Sequence, residues 1–496
     1  MKFKNRSRFS VVAVLFGVLA LTGCKEEALE KVPATRISPG TVFANTENAY
    51  AAIEGMHKGM YSQWYGVQAE GGQSGNMIYM EVLGDDFVMT AQANGWFVSE
   101  YRWLGHRNFN ANIVRFNYAF YYNFIGNANQ IIAQIDNAAG PQSDKNNLKA
   151  QALTYRAWSY YQMVQLYGKR YVKGGDNSSL GMSLVLEPIA EAVPRSTVEE
   201  TYTQINKDLD EAISLFASAS PRKDKSHLSV EVAKGIKARV ALTQQNYAVA
   251  AQFAKEARGN VKPMTQAQVM GGFSDYTNPE WLWGIRHRDD QTTFFYGFFA
   301  YVGNFSSTNT RGNPKAINSK LYAKISPTDI RKQLWDSTGS MPGFPVAAAG
   351  VRMPYMNRKF LLANPGNSNG DLAFMRAAEM YLIEAEALAR DGKEADAVNV
   401  LFELASARDT QYVKSTKTGD ALIDEILTQR RVELWGEGFR FYDLKRLNLP
   451  LDREGANHPT TLAQKLTEPA GTINWEFLIP QGEIDRTQGI VVQNPM

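Results

Sequence analysis

Apolar positions recur every three or four residues over several long stretches of this chain, the period of a helix with one buried face. In 112–137 the stripe is Ile113, Phe116, Phe120, Phe124, Ala128 and Ile132, and in 146–168 it is Leu148, Ala152, Tyr155, Trp158, Tyr161 and Gln165. Gly140-Pro141 separates the two, which predicts an antiparallel helical hairpin. A third helix is expected over 197–217, with Ser196 as N-cap and Glu199 closing a capping box. The stretches 230–258 and 376–408 set small residues such as Ala233, Ala238, Ala251 and Ala254 on either side of a turn, as tetratricopeptide helix pairs do, and Gly392 marks the second turn. No fixed period links these pairs, so they are expected as pairs separated by insertions. A shorter helix fits 47–65, and "AEGGQSGN" at 69–76 reads as a helix-breaking interval.

Over 260–370 the pattern changes to Gly, Asn, Ser, Thr, Pro and aromatics, with Trp281, Trp283 and Ile285 alternating as on one side of a strand. Long loops in a compact protein are usually functional or disordered, and the aromatic content favours function. The predicted fold is therefore mostly α: tetratricopeptide-like pairs in 112–258 and 372–446 carry a loop-rich, mixed α/β insertion at 260–370, in one compound domain over 46–496.

The N-terminus carries a different pattern. Lys2, Lys4, Arg6 and Arg8 precede an apolar run from Phe9 to Leu21, which is too short to span a bilayer and reads as an export signal over 1–23. Leu21-Thr22-Gly23-Cys24 resembles the bacterial lipobox, which accounts for the single cysteine: Cys24 is expected to be lipidated, with 24–45 as a polar tether. Without the four basic leader residues the formal charge of +3 becomes −1, too little for a nucleic-acid partner.

Catalytic and metal signatures are missing. There is no HExxH, no Cys/His zinc spacing and no EF-hand loop, and the chain has five histidines. Gly72-Gln73-Ser74-Gly75 runs into Asn76 where a nucleophile elbow needs glycine, and Gly436-Glu437-Gly438 lacks the third glycine of a phosphate cradle. Asp85, Asp86, Asp289 and Asp290 keep a carboxylate-pair glycoside hydrolase as the alternative. The densest signal is "QRRVELWGEGFRFYDLKRLN" at 429–448. Its Arg430, Arg431, Glu433, Glu437, Arg440, Asp443, Lys445 and Arg446 predict a structural helix paired at i, i+3 and i, i+4, in preference to an anion site.

This stretch resembles the signature of the SusD/RagB family of Bacteroidetes surface lipoproteins. So do, in order, "NYAFYYNFIGNANQIIAQI", "AQALTYRAWSYYQMVQLYG", "VPRSTVEETYTQINKDLDEAISLF", "RAAEMYLIEAEALARDGKEADAVNVL" and the closing "FLIPQGEIDRTQGIVVQNP". The resemblance implies a right-handed superhelical scaffold of four tetratricopeptide-like pairs and a protein, not an enzyme, that binds a glycan or another nutrient. It implies an outer-membrane location on the cell exterior and a SusC-like TonB-dependent transporter as partner; no cofactor and no metal site are expected from the residues, and a structural ion stays open. Peptide capture stays open as the nutrient class, and a protein-binding tetratricopeptide adaptor is disfavoured by the aromatic insertion.

Ligand residues do not follow from the resemblance and were sought by chemistry. Sugars need exposed aromatic faces with planar polar side chains, on loops held by a scaffold. The candidates are Trp64, Tyr65, Tyr79, Asn94 and Trp96 around the first glycine-rich interval, and Arg286, Asp289, Tyr296, Tyr301, Asn304 and Phe305 in the insertion. Trp158, Trp281, Trp283 and Trp435 are expected in the core.

Overall fold

The structure, a computed structural model, describes residues 39–287, 297–304, 308–362 and 368–496. The expected stripes fold into eight helices, each packed on the next along the chain: Asn112–Gln134, Gln142–Tyr167, Val198–Phe216, Val230–Thr243, Tyr247–Arg258, Ala377–Arg390, Glu394–Arg408 and Gly419–Glu433. Fully buried Ala250 and Ala254 let the 247–258 helix lie close against the 377–390 helix, so two pairs far apart in sequence continue one stack.

The 142–167 helix is buried on nearly every side from Asn147 to Tyr167. Its buried charge is paired: Arg156 donates to both carboxylate oxygens of Asp208, at 2.8 and 2.7 Å, and to Asn129 Oδ1 at 2.9 Å. Trp158, Trp281, Trp283 and Trp435 are all core residues.

The insertion is closed by a strand pair. β2 (Trp281–Ile285) runs antiparallel to β6 (Leu372–Arg376) where the chain leaves and re-enters the helical stack. All five residues of β2 are buried, not one alternating side, and the register shifts along the pair. Within the insertion, β3 (Lys315–Ile317), β4 (Trp335–Asp336) and β5 (Met356–Asn357) join β1 (Phe87–Met89) in a sheet ordered β1-β3-β5-β4. One apolar cluster extends from Ala49 through the insertion to Val491, tying the helical and loop-rich parts together.

Several local expectations shift. The helix expected over 47–65 is Thr46–Gly59, and its entry is docked: Thr46 N–H donates to Ala139 O, and Ala139 N–H to Ala44 O, so the tether ends before residue 44. The interval 69–76 starts a helix, Gln73–Val82, instead of excluding one, because Gly72 takes φ +62° directly before it. The capping box uses Thr197 and Glu200, one residue later than Ser196 and Glu199.

The largest correction concerns 429–448. The segment forms two helices, Gly419–Glu433 and Arg440–Leu447, joined by a turn in which Gly436 and Gly438 have positive φ. The i, i+3 pair Asp443 to Arg446 forms at 2.7 Å and Arg430 joins Asp443 at 2.7 Å from the preceding helix, Lys445 donates to backbone carbonyls, and Arg431, Glu433, Glu437 and Arg440 pair with distant elements. Glu433 meets Arg408 at 3.0 Å and both Arg376 and Arg331 at 3.1 Å, while Glu437 takes Arg376 and Lys359 at 2.7 Å. Glu280 and Asp329 complete a buried set of four cations and four carboxylates. Burial alone would raise the Glu433 carboxyl; Arg408, Arg376 and Arg331 override it and hold the group well below the usual range. The Gly438 and Phe439 N–H groups enclose an internal carboxylate, Glu81, at 2.8 and 3.0 Å.

Candidate functional site

The loop that leaves the 46–59 helix makes the most exposed aromatic feature near a cleft. Val67 N–H donates to Trp64 O across a turn whose central residues, Tyr65 and Gly66, have φ +49° and +74°. Glycine takes that conformation without cost; an aromatic residue there stores about 1–2 kcal/mol of strain. The turn is held from below. Trp64 N–H donates to Glu70 O at 2.8 Å, the Trp64 indole N–H donates to Gly59 O at 3.1 Å, and the indole packs edge-on against Phe120.

This frame leaves Tyr65 54% exposed. The Arg115 guanidinium lies 4.6 Å from the Tyr65 ring centroid, a contact worth about 0.5–1 kcal/mol at an exposed site. Arg115 also reaches Glu70 Oε1 at 3.3 Å. Burial raises the Glu70 carboxyl above its usual range despite that arginine, and its Oε2 has no hydrogen-bond partner among the described residues.

Along the C-terminal end of the 46–59 helix lies an open cleft of about 560 Å³, lined by Glu54, Lys58, Tyr61, Asp224, Tyr276 and Arg286, with His57 at its wall. Tyr61 meets His287 edge-on at 5.0 Å. Tyr276 donates to Asp224 at 2.9 Å, and His287 Nδ1 is 2.7 Å from Gly370 O, so each ring is fixed. His57 Nδ1 is engaged by Tyr155 OH at 2.7 Å and its Nε2 is unpartnered among the described residues. Burial, and then His227, push His57 well below the usual histidine range, so it is a neutral polar group at the cleft wall.

The sequence candidates divide into four groups. Trp64 and Tyr65 share the turn, their ring centroids 6.3 Å apart, and Arg286 lines the cleft. Asn94, which is exposed, and the half-buried Trp96 lie on a second loop, tied at Thr90 and Ala91 to Asn313. Tyr79, Tyr301 and Asn304 are corrections, being 2%, 1% and 2% exposed. Tyr79 and Tyr301 pack on Phe97 from 4.8 and 4.4 Å, Lys315 caps the Tyr301 ring, and Asn304 donates to Asn357 O, so none offers a face to a ligand. Cys24, Asp289, Asp290, Tyr296 and Phe305 lie outside the described residues.

Sequence reasoning missed Tyr61, Arg115 and Tyr276. Tyr61 was assigned to a helix that ends at Gly59, and Arg115 stood on the polar face of a well-patterned helix. The Tyr65-Gly66 step was the available signal for a turn that ends that helix early. Of the four acids that kept hydrolysis open, Asp289 and Asp290 lie outside the described residues, and Asp85 and Asp86 are committed elsewhere. Asp85 meets Arg440 at 2.5 Å and Asp86 meets Arg431 at 2.6 Å, both buried. Among the described residues no cluster of three or more His, Cys, Asp or Glu side chains is arranged to hold a metal, and no helix is long and apolar enough to cross a membrane.

A stack of helix pairs that presents an aromatic turn and a polar cleft, with Asp85, Asp86, Glu433 and Glu437 locked to arginines, has the architecture of a ligand-binding protein. The chain belongs to the SusD/RagB family: residues 45–242 match the family described as "Starch-binding associating with outer membrane" and residues 305–496 match the SusD family. It is 25% identical to SusD-like protein P2 of Formosa agariphila, with 96% of this chain and 97% of that protein covered. Among solved structures it resembles a SusD-like carbohydrate binding protein from Bacteroides vulgatus, with TM-score 0.78, 23% identity and coverage of 90% and 97%. A laminarin binding SusD-like protein aligns with TM-score 0.69 and 21% identity over 91% of this chain and all of that one.

Proposed function

We propose that this protein captures a polysaccharide or oligosaccharide at the cell exterior and delivers it to a SusC-like TonB-dependent transporter, held to the outer membrane by lipid on Cys24. The observation that carries the reading is Tyr65: an exposed aromatic ring in a strained turn, backed by the planar guanidinium of Arg115. Aromatic faces take the apolar faces of sugar rings, and Arg286 and Tyr276 in the cleft provide directional groups for hydroxyls. Trp64 shapes the platform from beneath, and Trp96 with Asn94 form a separate secondary contact.

The test is affinity electrophoresis of residues 25–496 through laminarin, starch, xylan, pectin and alginate, with a pool of short peptides in parallel by native mass spectrometry. Retardation by one polysaccharide, weakened about tenfold or more by Tyr65→Ala, supports the reading. Peptide binding without glycan binding, or release of cleaved sugar, overturns it.

A further inference from the structure

Glu433 and its arginines match each buried charge with an opposite one; the corner around Glu476 does not. Lys445, 8% exposed, spends its hydrogens on carbonyls, donating to Gln165 O, Gly168 O and Trp475 O at 2.7, 2.8 and 2.7 Å. Arg195, equally buried, donates to four backbone carbonyls and to Asn494 Oδ1, and Arg107 donates to Glu476 O and Pro495 O. None of the three has a carboxylate partner among the described residues, although each feels the charge of Glu476 from a distance. Burial pushes Lys445 down to about 7 and lowers both arginines, as happens when a buried positive charge is left without a matching negative one.

This corner opens on a pocket of about 190 Å³ between the end of the 142–167 helix, the 440–447 helix and the segment 471–476. Lys445 lines it together with exposed Lys169 and half-buried Arg170, and neither of the latter two has a hydrogen-bond or ion-pair partner among the described residues. Glu476 is the one carboxylate among the described residues that line it. Three cations facing one carboxylate leave the pocket positive. A helix C-terminus repels anions through its free carbonyls, but here Gln165 O and Gly168 O are taken by Lys445. The volume is below the roughly 300–1,000 Å³ of a site for drug-sized ligands, so the guest is small.

We propose that this pocket binds a small oxyanion, of the size of phosphate, sulfate or a short carboxylic acid, held by Lys169 and Arg170 with the charge of Lys445 adding to theirs. Ammonium and guanidinium groups make charge-assisted hydrogen bonds to such oxygens, and the Asn448 amide, which also lines the pocket, adds a neutral donor. The bound anion supplies the negative charge that Lys445, Arg107 and Arg195 lack. The pocket shares no lining residue with the cleft at His57, so the site stands or falls independently of glycan capture.

The experiment is isothermal titration calorimetry of residues 25–496 with sodium phosphate, sodium sulfate and sodium glucuronate, each at fixed ionic strength against sodium chloride. Wild type is compared with the double variant Lys169→Ala with Arg170→Ala, whose side chains make no bond that the fold needs. A second double variant, Lys255→Ala with Lys414→Ala, removes two exposed cations outside the pocket. Wild type and the second variant should bind one oxyanion per chain saturably. The first variant should bind it about tenfold more weakly or worse, through loss of two charge-assisted hydrogen bonds. No binding beyond that of chloride, binding by the first variant equal to wild type, or the same loss in both variants overturns the site.

Discussion

Replacing Glu433 by glutamine removes one carboxylate from a closed set of buried charges. In the native protein its two oxygens accept from Arg408 twice at 3.0 Å, from Arg376 at 3.1 Å and from Arg331 at 3.1 Å, and those three arginines are each at most 2% exposed. The amide keeps the shape but loses the charge and one acceptor, so Arg331, Arg376, Arg408 and Lys359 face three carboxylates instead of four. Leaving a buried charge uncompensated costs about 3–5 kcal/mol. Unfolding a body of this size carries an entropy of about 1 kcal/mol/K at roughly 2.1 cal/mol/K per residue, so the variant should melt about 3–5 °C lower. Differential scanning calorimetry measures this directly. Asp424→Asn is the control: Asp424 pairs with Lys324 at 3.8 Å with both side chains largely in water, and its loss should cost under about 0.5 kcal/mol. If Glu433→Gln melts within 1 °C of wild type, by the same roughly 1 kcal/mol/K the set is not acting as a compensated unit and the argument fails.

Two further predictions concern the rest of the body. His458 is held neutral, burial and then Arg453 pushing it down to about 3, and burial takes His106 down to about 4. An unfolded chain protonates these groups near pH 6.5, so it binds protons that the fold refuses and stability drops as pH falls below that value. From pH 7 to pH 5 each histidine should cost about 2 kcal/mol, and His458→Gln should lose less stability over that interval in urea titrations; an unchanged loss would refute the assignment. Gly438→Ala places a Cβ 2.8 Å from Met77 Cα at φ +88° and should destabilise by more than about 2 kcal/mol. Gly55→Ala, in an exposed helical position with open space around it, should stabilise by about 0.5–1 kcal/mol in the same urea assay; the reverse order would show that the Gly438 turn relaxes freely.

Much of the scaffold was legible in the one-dimensional pattern. Helix periodicity depends only on which residues are apolar, so the stripe from Ile113 to Ile132 and the alanine-rich pairs marked their helices before any packing was known. Boundaries were less legible, because they turn on single backbone conformations: Gly72 starts a helix where glycine usually stops one, and Tyr65-Gly66 bends a chain whose composition still reads as helical. The candidate site was legible only in part. Tyr65 and Trp64 were identifiable as aromatics near a glycine-rich interval, yet so were Tyr79 and Tyr301, and nothing in a linear sequence says which ring another element covers.

Charge separates the two levels most clearly. The sequence by itself determined that 429–448 is a dense, nearly balanced charged segment with apolar residues between, and hence structural. It could not determine the partners, because spacing along a helix reports only neighbours three or four residues away. Tertiary structure decided that Glu433 closes onto Arg408, Arg376 and Arg331, and that Asp85 and Asp86, candidates for chemistry when read in isolation, are bound to Arg440 and Arg431. The physical reason is burial. A charge in the interior takes whichever opposite charge the fold brings within hydrogen-bond reach, and that choice is made by segments hundreds of residues apart.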